Sequence, residues 1–192
     1  DDVHDAPVRL PVDGVLPFQV GEKVATEAIE KWINSRWFAP TEFKKYNEKG
    51  SFRSVYAAYF TYDAQTHTSY QGQRGEHYTV TVGSGDNQRT ETRTRWYPAS
   101  GTVRNAFDDI AILANTGFDR GRVAKLEPWP TGGAKPFSPE YVAGHLCRTY
   151  DLDAEESFPE ARQQIDAAIE STIKRDIGGD VQRISRRSTS YD

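Results

Sequence analysis

The stretch QRTETRTRW, residues 88–96, decides the fold class of this chain. Threonine alternates with charged residues until the run ends on Trp96. Successive side chains of a β-strand point to opposite faces, so this two-residue period predicts a strand with one solvated face. The charged face carries Arg89, Glu91, Arg93 and Arg95. A strand with one solvated face needs neighbours to pair with, and the sequence on either side predicts them.

Aromatic and β-branched residues before this strand predict its neighbours. Residues 52–62 are apolar on both faces, which is typical of a central strand. Residues 66–71 and 76–82 flank Gly72 and Gly75, and this arrangement predicts a hairpin. The glycine-rich residues 83–87 predict a second turn.

The residues after Pro98 and Gly101 extend the same pattern. We expect residues 102–113 to continue the antiparallel sheet. Their apolar spacing over 107–113 is equally compatible with a helical turn, because short apolar runs fit both periods. Both alternatives stay open at this stage.

Three segments have helical spacing. Residues 22–37 repeat apolar side chains every three to five positions, which predicts a helix with one buried stripe and with Trp32 and Trp37 as core anchors. Ser138 before Pro139 predicts a helix that runs to about Tyr150. A last helix is predicted from near Pro159 to Gly178-Gly179. Its apolar stripe is Ala161, Ile165, Ile169, Ile173 and Ile177.

This order of elements predicts an α+β fold with a mainly antiparallel β-sheet, an N-terminal helix and C-terminal helices packed on one face. The length of 192 residues fits a single domain, 1–192. Residues 1–13 are predicted to be an extended lead-in and 185–192 a tail compatible with truncation. Because the chain starts at Asp1 and contains no methionine, we expect it to be part of a longer product.

Composition excludes several functional classes. A net charge of −4 argues against a general affinity for phosphate backbones. A chain with one cysteine, Cys147, holds no zinc ribbon, and the segment 132–136 lacks the spacing of a nucleotide-binding P-loop. We expect a soluble cytoplasmic protein without a cofactor, since no apolar run is long enough for a membrane span and nothing marks secretion.

Candidate site residues are few. Arg89, Arg93 and Arg95, with Arg74 from the neighbouring hairpin, are predicted to form an anion- or nucleic-acid-binding face. Glu91 lies among them and weakens this interpretation. His67 and His77 are weak candidates for a metal pair, whose geometry depends on the hairpin between them.

Other reactive side chains give weaker signals still. His145 and Cys147 are two residues apart, which does not bring them together on a helix. Asp108 and Asp109 are adjacent, so on a strand they face opposite ways. No coherent catalytic constellation follows from the sequence.

Five segments also carry a resemblance to a known family: RWFAP at 36–40, residues 59–78, RWYPASGTV at 95–103, residues 136–146 and RDIGGD at 175–180. Together they cover most of residues 14–184. They resemble an uncharacterised group of actinobacterial proteins whose longer members carry a TFIIB-type zinc ribbon. Members are often labelled primosomal protein N-prime or superfamily II helicase. The resemblance implies an accessory nucleic-acid role, but it supplies no catalytic residues, and this chain lacks the zinc ribbon.

The sequence therefore supports three functional hypotheses. The first is a non-enzymatic binding or scaffolding module with an unknown protein partner. The second is an accessory nucleic-acid-binding domain that uses the four arginines on phosphates. The third is a hydrolytic or metal-dependent enzyme that uses the histidines with Asp63 or Asp109. The sequence leans towards a protein that is not an enzyme and leaves its oligomeric state open.

Overall fold

The structure is a computed structural model that describes residues 10–35 and 53–192. It is an α+β fold with a mainly antiparallel sheet, which confirms the predicted fold class. The chain divides into two compact units, the first formed by Asp1–Tyr59 and Leu113–Leu152 and the second by Phe60–Ile112 and Asp153–Asp192. The single domain that the chain length favours, residues 1–192, remains a prediction. Among the described residues, no helix has both the length and the apolar character needed to cross a bilayer.

The second unit is built on a three-stranded sheet in the order β4-β3-β7. These strands are β3, Tyr59–Val82, β4, Arg89–Leu113, and β7, Val181–Tyr191. The predicted turn at 83–87 joins β3 to β4 and contains a short 3-10 helix, Gly85–Asn87. Residues 107–113 belong to β4, so the strand alternative is correct there. The predicted tail is also wrong, because β7 pairs antiparallel with β3 up to Tyr191.

One long helix supplies the core of this unit. Its residues 154–177 place one side chain of the predicted stripe on the sheet every four positions, and all five stripe residues are buried. The side chains of Tyr70 on β3 and Val103 on β4 pack against its isoleucines. The helix begins at Ala154 rather than near Pro159, because Asp153 and Glu156 form a capping box that satisfies free amide groups of the first turn. It ends at Ile177, as Gly178-Gly179 predicts.

The predicted hairpin at Gly72 and Gly75 is wrong, since β3 passes through both positions as one strand. Each glycine allows a close approach. A side chain on Gly72 would lie 2.2 Å from the carbonyl oxygen of Arg183, and one on Gly75 would lie 2.6 Å from Val181. Glycine is therefore required here by the packing of β7 and not by a turn.

The described part of the first unit contains small elements. Strand β1, Gly14–Val15, pairs antiparallel with β5, Lys135–Pro136, and β2, Val55–Tyr56, pairs parallel with β6, Leu146–Cys147. The helices are α1, Glu22–Asn34, α2, Arg120–Val123, and α3, Pro139–Val142, and the long helix of the second unit is α4, Ala154–Ile177. Asn115 is buried and joins two segments, accepting a hydrogen bond from the amide of Ala58 and donating one to the carbonyl of Thr149.

Three expectations fail in this unit. The strand predicted over 52–62 is interrupted after Tyr56 and resumes as β3, with Phe52 outside the described residues. Helix α1 buries only Ile33 among its described residues, and Trp32 is 54% exposed, so it is not a core anchor. Trp37 lies outside the described residues. The helix predicted up to Tyr150 stops after one turn, because Ala143 is already extended; Gly144 then takes a positive φ and the chain enters β6.

The predicted packing of several C-terminal helices on the sheet also needs correction. Helix α3 is a single turn in the first unit. Among the described helices of the second unit, α4 alone covers the sheet. Within this unit, α4 therefore covers one face of the sheet.

Candidate functional site

Strands β3 and β4 continue beyond the rest of their sheet. Strand β7 pairs with β3 no further than Gly75, and among the described strands residues 76–82 then pair with β4 alone. We call residues 76–95 the hairpin arm. At about 3.3 Å per residue its strands extend roughly 20 Å past the last residue paired with β7. Most of its side chains are exposed.

All four predicted arginines meet on one face of this arm and its base. Arg74 lies where α4 ends, since a side chain on Gly179 would touch its Cγ at 2.5 Å. Its guanidinium stands 5.7 Å from the ring centre of Tyr97, and that of Arg95 stands 5.1 Å from the ring centre of Tyr78. The two strands therefore present these residues on the same side. We call this set the arginine face, and it consists of Arg74, Glu76, Tyr78, Arg89, Glu91, Arg93, Arg95 and Tyr97.

Carboxylates within the arginine face bind most of its cations. Arg74 forms an ion pair of 2.9 Å with Glu76. Glu91 bridges two arginines, with 2.8 Å to Arg89 and 3.6 Å to Arg93. These pairs are exposed, so each contributes little to stability, on the order of 0–1 kcal/mol. Their effect on ligand binding is larger, because a phosphate must compete with a carboxylate already in place.

Arg95 is the exception, because its partners are aromatic. Its interaction with Tyr97 raises the pKa of the Arg95 guanidinium above its ordinary value, and Tyr78 adds to this shift. Tyr78 lies beneath the same guanidinium in a cation–π contact. Both tyrosines keep more than a third of their surface exposed. The result is a solvent-facing cluster of one cation and two phenols, which the sequence prediction missed although the two-residue period placed Tyr97 beside the arginines.

The opposite face of the arm has a different character. His77 there contacts Thr94, with 3.0 Å between Nδ1 and the threonine hydroxyl. Trp96 packs near Gly75 and stacks with the guanidinium of Arg183 at 3.9 Å. His67 lies on the same strand as His77, about 30 Å away at roughly 3.3 Å per residue. The predicted metal pair therefore does not form, since no hairpin folds the two histidines together.

A group of carboxylates does come together at the other end of the sheet. Oxygens of Asp63, Asp108 and Asp109 lie within 4.8 Å of one another. Asp109 has a positive φ of 55°, and its amide donates to Asp63 over 2.8 Å, so the adjacent aspartates do not simply face opposite ways. His67 is four residues from Asp63, roughly 13 Å along β3. Exposed carboxylates cluster in this way on ordinary sheet edges, and the histidines do not join them.

One contact in the first unit had no signal in the sequence. The hydroxyl of Ser54 and Nδ1 of His145 are 2.5 Å apart, although 91 positions separate the residues. The imidazole stacks on Phe18 and meets the edge of Tyr56. Leu146 donates its amide to the carbonyl of Ser54, so the parallel pairing of β2 with β6 sets this geometry. The aromatic rings fix the histidine, and among the described residues no carboxylate is hydrogen-bonded to it.

Cys147 is exposed and does not act with His145 through their side chains. Its thiol lies 3.8 Å from the backbone carbonyl of His145. Both residues belong to the β2–β6 region, and the helix that was predicted around them is absent. Their structural context is therefore a short strand, with the imidazole held by Ser54 and the aromatic rings.

The fold and the candidate site define an α+β protein with a mainly antiparallel sheet and an exposed hairpin arm. No family model matches the chain, and no solved structure matches it. It is similar to the uncharacterized protein YdjG of Bacillus subtilis (strain 168), with 25% identity over 178 residues. The match covers 92% of this chain and 49% of YdjG, so the chain spans about half the length of this relative. This similarity indicates no function.

Proposed function

We propose that the chain is a non-enzymatic binding module whose hairpin arm contacts a partner protein. The observation that carries this proposal is the cluster of Arg95, Tyr78 and Tyr97 on the arginine face. Tyrosine and arginine are enriched in the parts of protein interfaces that contribute most to binding. Here they are exposed, and mutual contacts hold them in place before a partner arrives, which lowers the entropy cost of binding.

The charge pattern favours a protein over a nucleic acid. Glu76 and Glu91 neutralise two of the four guanidinium charges on the arginine face. Nucleic-acid affinity depends on cations that replace counterions along the phosphate backbone, and paired cations do this poorly. A protein surface offers both charge signs, so it can match a face on which carboxylates and guanidinium groups alternate.

A nucleic-acid role is the second candidate. The observation that favours it is the arm itself, because a two-stranded ribbon fits the major groove of duplex DNA. In this case Arg93 and Arg95 bind phosphates and Tyr78 and Tyr97 stack on bases. The resemblance to proteins labelled as primosomal supports the same idea.

Two measurements test the proposals. Fluorescence anisotropy of labelled single-stranded and duplex DNA, at low and physiological salt, addresses the second candidate. Salt-sensitive binding that disappears in Arg93→Glu/Arg95→Glu makes DNA the ligand and overturns the protein-partner proposal, whereas absence of binding at low salt removes the DNA candidate.

A photo-reactive residue in place of Tyr78 addresses the first candidate, since it forms a covalent adduct with whatever the arginine face contacts.

We also propose that the module works in the cytoplasm. The exposed thiol of Cys147 supports this compartment, because an exposed free cysteine is exposed to oxidation outside the reducing cytosol. A mass measurement of the protein isolated from its host without reductant tests the compartment. An unmodified thiol is expected there, and a disulfide-linked or oxidised form contradicts the proposal.

A further inference from the structure

A groove lies between α4 and β7. Its volume is about 480 Å³, and it is open to solvent along one side. Glu170 and Lys174 of α4 form one wall, and the other is formed by β7 residues that include Ile184 and Arg187, which lie on the α4 side of the sheet. Strand β7 is at the edge of its sheet, and no described strand pairs with its outer side. The groove thus combines a helix wall with an open strand edge.

The hydrogen-bond pattern shows which backbone groups this edge offers. Asp192 donates its amide to the carbonyl of Gln65, so that pair belongs to the hydrogen-bonded positions of the ladder. These alternate with non-hydrogen-bonded pairs, whose side chains are closer. Thr68 and Thr189 fit the second type, with hydroxyl oxygens 2.9 Å apart. The amide and carbonyl of Thr189, and those of Arg187, therefore point away from β3 and can bind an added strand.

The charges along the groove leave one cation without a carboxylate. Lys174 pairs with Glu170 at 2.6 Å, and Arg187 pairs with Asp166 at 3.1 Å. The contact with Lys174 lowers the pKa of Glu170 below its ordinary value. Arg186 is exposed, and no carboxylate of the described residues forms an ion pair with it. The edge therefore presents a net positive charge beside its open hydrogen-bonding groups.

This charge argues against a second copy of the chain as the occupant. Pairing of β7 with another β7 would bring the edge arginines Arg183, Arg186 and Arg187 of the two copies close together, and like charges on facing strands destabilise a sheet. The register shift opposite Gln71 and Gly72 makes Ser185 an extra residue and interrupts the edge further. Self-association through a regular ladder is thus disfavoured.

We propose that an extended, acidic segment of a partner protein binds as a fourth strand along the outer edge of β7. Its backbone pairs with Thr189 and Arg187, as in other cases of strand addition. Its acidic side chains lie beside Arg186 on the face away from α4. Its alternate side chains enter the groove over Ile184, which is half-buried and apolar. The preferred segment therefore alternates acidic with small apolar residues.

A defined peptide pair tests this proposal. The probe is a labelled octapeptide of alternating valine and glutamate, and the matched peptide has lysine in place of glutamate. Fluorescence anisotropy at physiological salt should give saturable binding of the glutamate peptide, with the lysine peptide at least about tenfold weaker. Absence of saturable binding of the glutamate peptide, or equal binding of both peptides, overturns the proposal.

Protein variants locate the binding. Thr189→Pro removes the outward amide without touching the ladder to β3, and Thr189→Ala is its control, since it loses the hydroxyl but keeps the amide. Arg186→Glu reverses the charge, and Arg175→Glu makes the same change on the solvent-facing side of α4. Proline and Arg186→Glu should each weaken the glutamate peptide at least about tenfold, while both controls bind normally. If Thr189→Pro does not fold, the comparison of Arg186→Glu with Arg175→Glu still tests the proposal. Sedimentation that shows dimers dissociated by Arg186→Glu assigns the edge to a second copy and contradicts the acidic partner.

Discussion

Tyr70 on β3 donates a hydrogen bond to Asp176 on α4, with 2.5 Å between the phenol oxygen and the carboxylate. The ring of Tyr70 is buried, and Gly101 leaves room for its hydroxyl, because a side chain at that position would lie 2.8 Å away. Burial, together with the carboxylate, raises the pKa of Tyr70 to about 12. This contact joins the sheet to the end of α4, next to the base of the hairpin arm.

Tyr70→Phe should lower the free energy of unfolding by about 1 kcal/mol at pH 8, because the hydrogen bond to Asp176 is lost. The pH dependence gives a sharper signature. A phenol with a pKa of 10.0 unfolded and about 12 folded stabilises the fold fully below pH 10, and this contribution is lost as the pH rises through 12. Urea unfolding of the wild type should therefore lose roughly 1 kcal/mol more than Tyr70→Phe between pH 8 and pH 11. Parallel losses in both proteins would contradict the assignment.

Gly72→Ala should destabilise the second unit by roughly 3 kcal/mol, since the new methyl group meets the carbonyl oxygen of Arg183 at 2.2 Å and either strand must shift. Gly132→Ala is the matched control, because its methyl group meets nothing within 4 Å, and we expect a change within about 0.5 kcal/mol. Chemical denaturation measures both. Similar values for the two variants would mean that β7 does not pack on β3 as described.

Ile169→Ala should cost about 3 kcal/mol or more, because the side chain is fully buried between α4 and the sheet and its removal leaves a cavity. Val24→Ala on α1 removes an apolar side chain that is 59% exposed, so we expect a much smaller loss. Thermal unfolding followed by circular dichroism compares the two. An equal shift in Tm would contradict the burial of the α4 stripe.

Asp153→Ala should reduce stability by about 1 kcal/mol, because the side chain no longer accepts the amide of Glu156 at the start of α4. Asp153→Asn keeps an oxygen that accepts this hydrogen bond and should retain most of the stability. Denaturation midpoints of the three proteins check the order. If the alanine variant is as stable as wild type, the helix begins nearer Pro159 and the capping box is not formed in solution.

The sequence predicts this fold where periodicity alone decides the outcome. The isoleucines of α4 and the alternation at 88–96 each fit one period, so the helix and the strand follow directly. The hairpin predicted at Gly72 and Gly75 is wrong because glycine is typical both of tight turns and of places where another strand approaches closely. Only the position of β7 distinguishes these two cases. The start of α4 was available from Asp153 and Glu156, whose three-residue spacing is a capping signal.

Some features of the candidate site are likewise predictable from periodicity, and others are not. One shared face for Arg89, Arg93 and Arg95 follows from strand alternation, and Arg74, which was predicted to join them, lies on the same face. The ion pairs with Glu76 and Glu91, and the cation–π contact of Arg95 with Tyr78, depend on the register between β3 and β4. Local sequence does not specify this register, because the predicted hairpin at Gly72 that would have set it does not exist. The contact between Ser54 and His145 is likewise set by pairing across 91 positions.

The central claim is that the arginine face of the hairpin arm contacts a protein, and in-cell photo-crosslinking tests it most directly. Benzoylphenylalanine replaces Tyr78 in one variant and Thr92 in the other, which is exposed on the opposite face of the same arm. After irradiation in the native host, we predict one discrete protein adduct from position 78 that is absent from position 92 and is lost when Arg95→Glu is added. Equal adducts from both positions, an adduct with nucleic acid, or no adduct from position 78 would contradict the account.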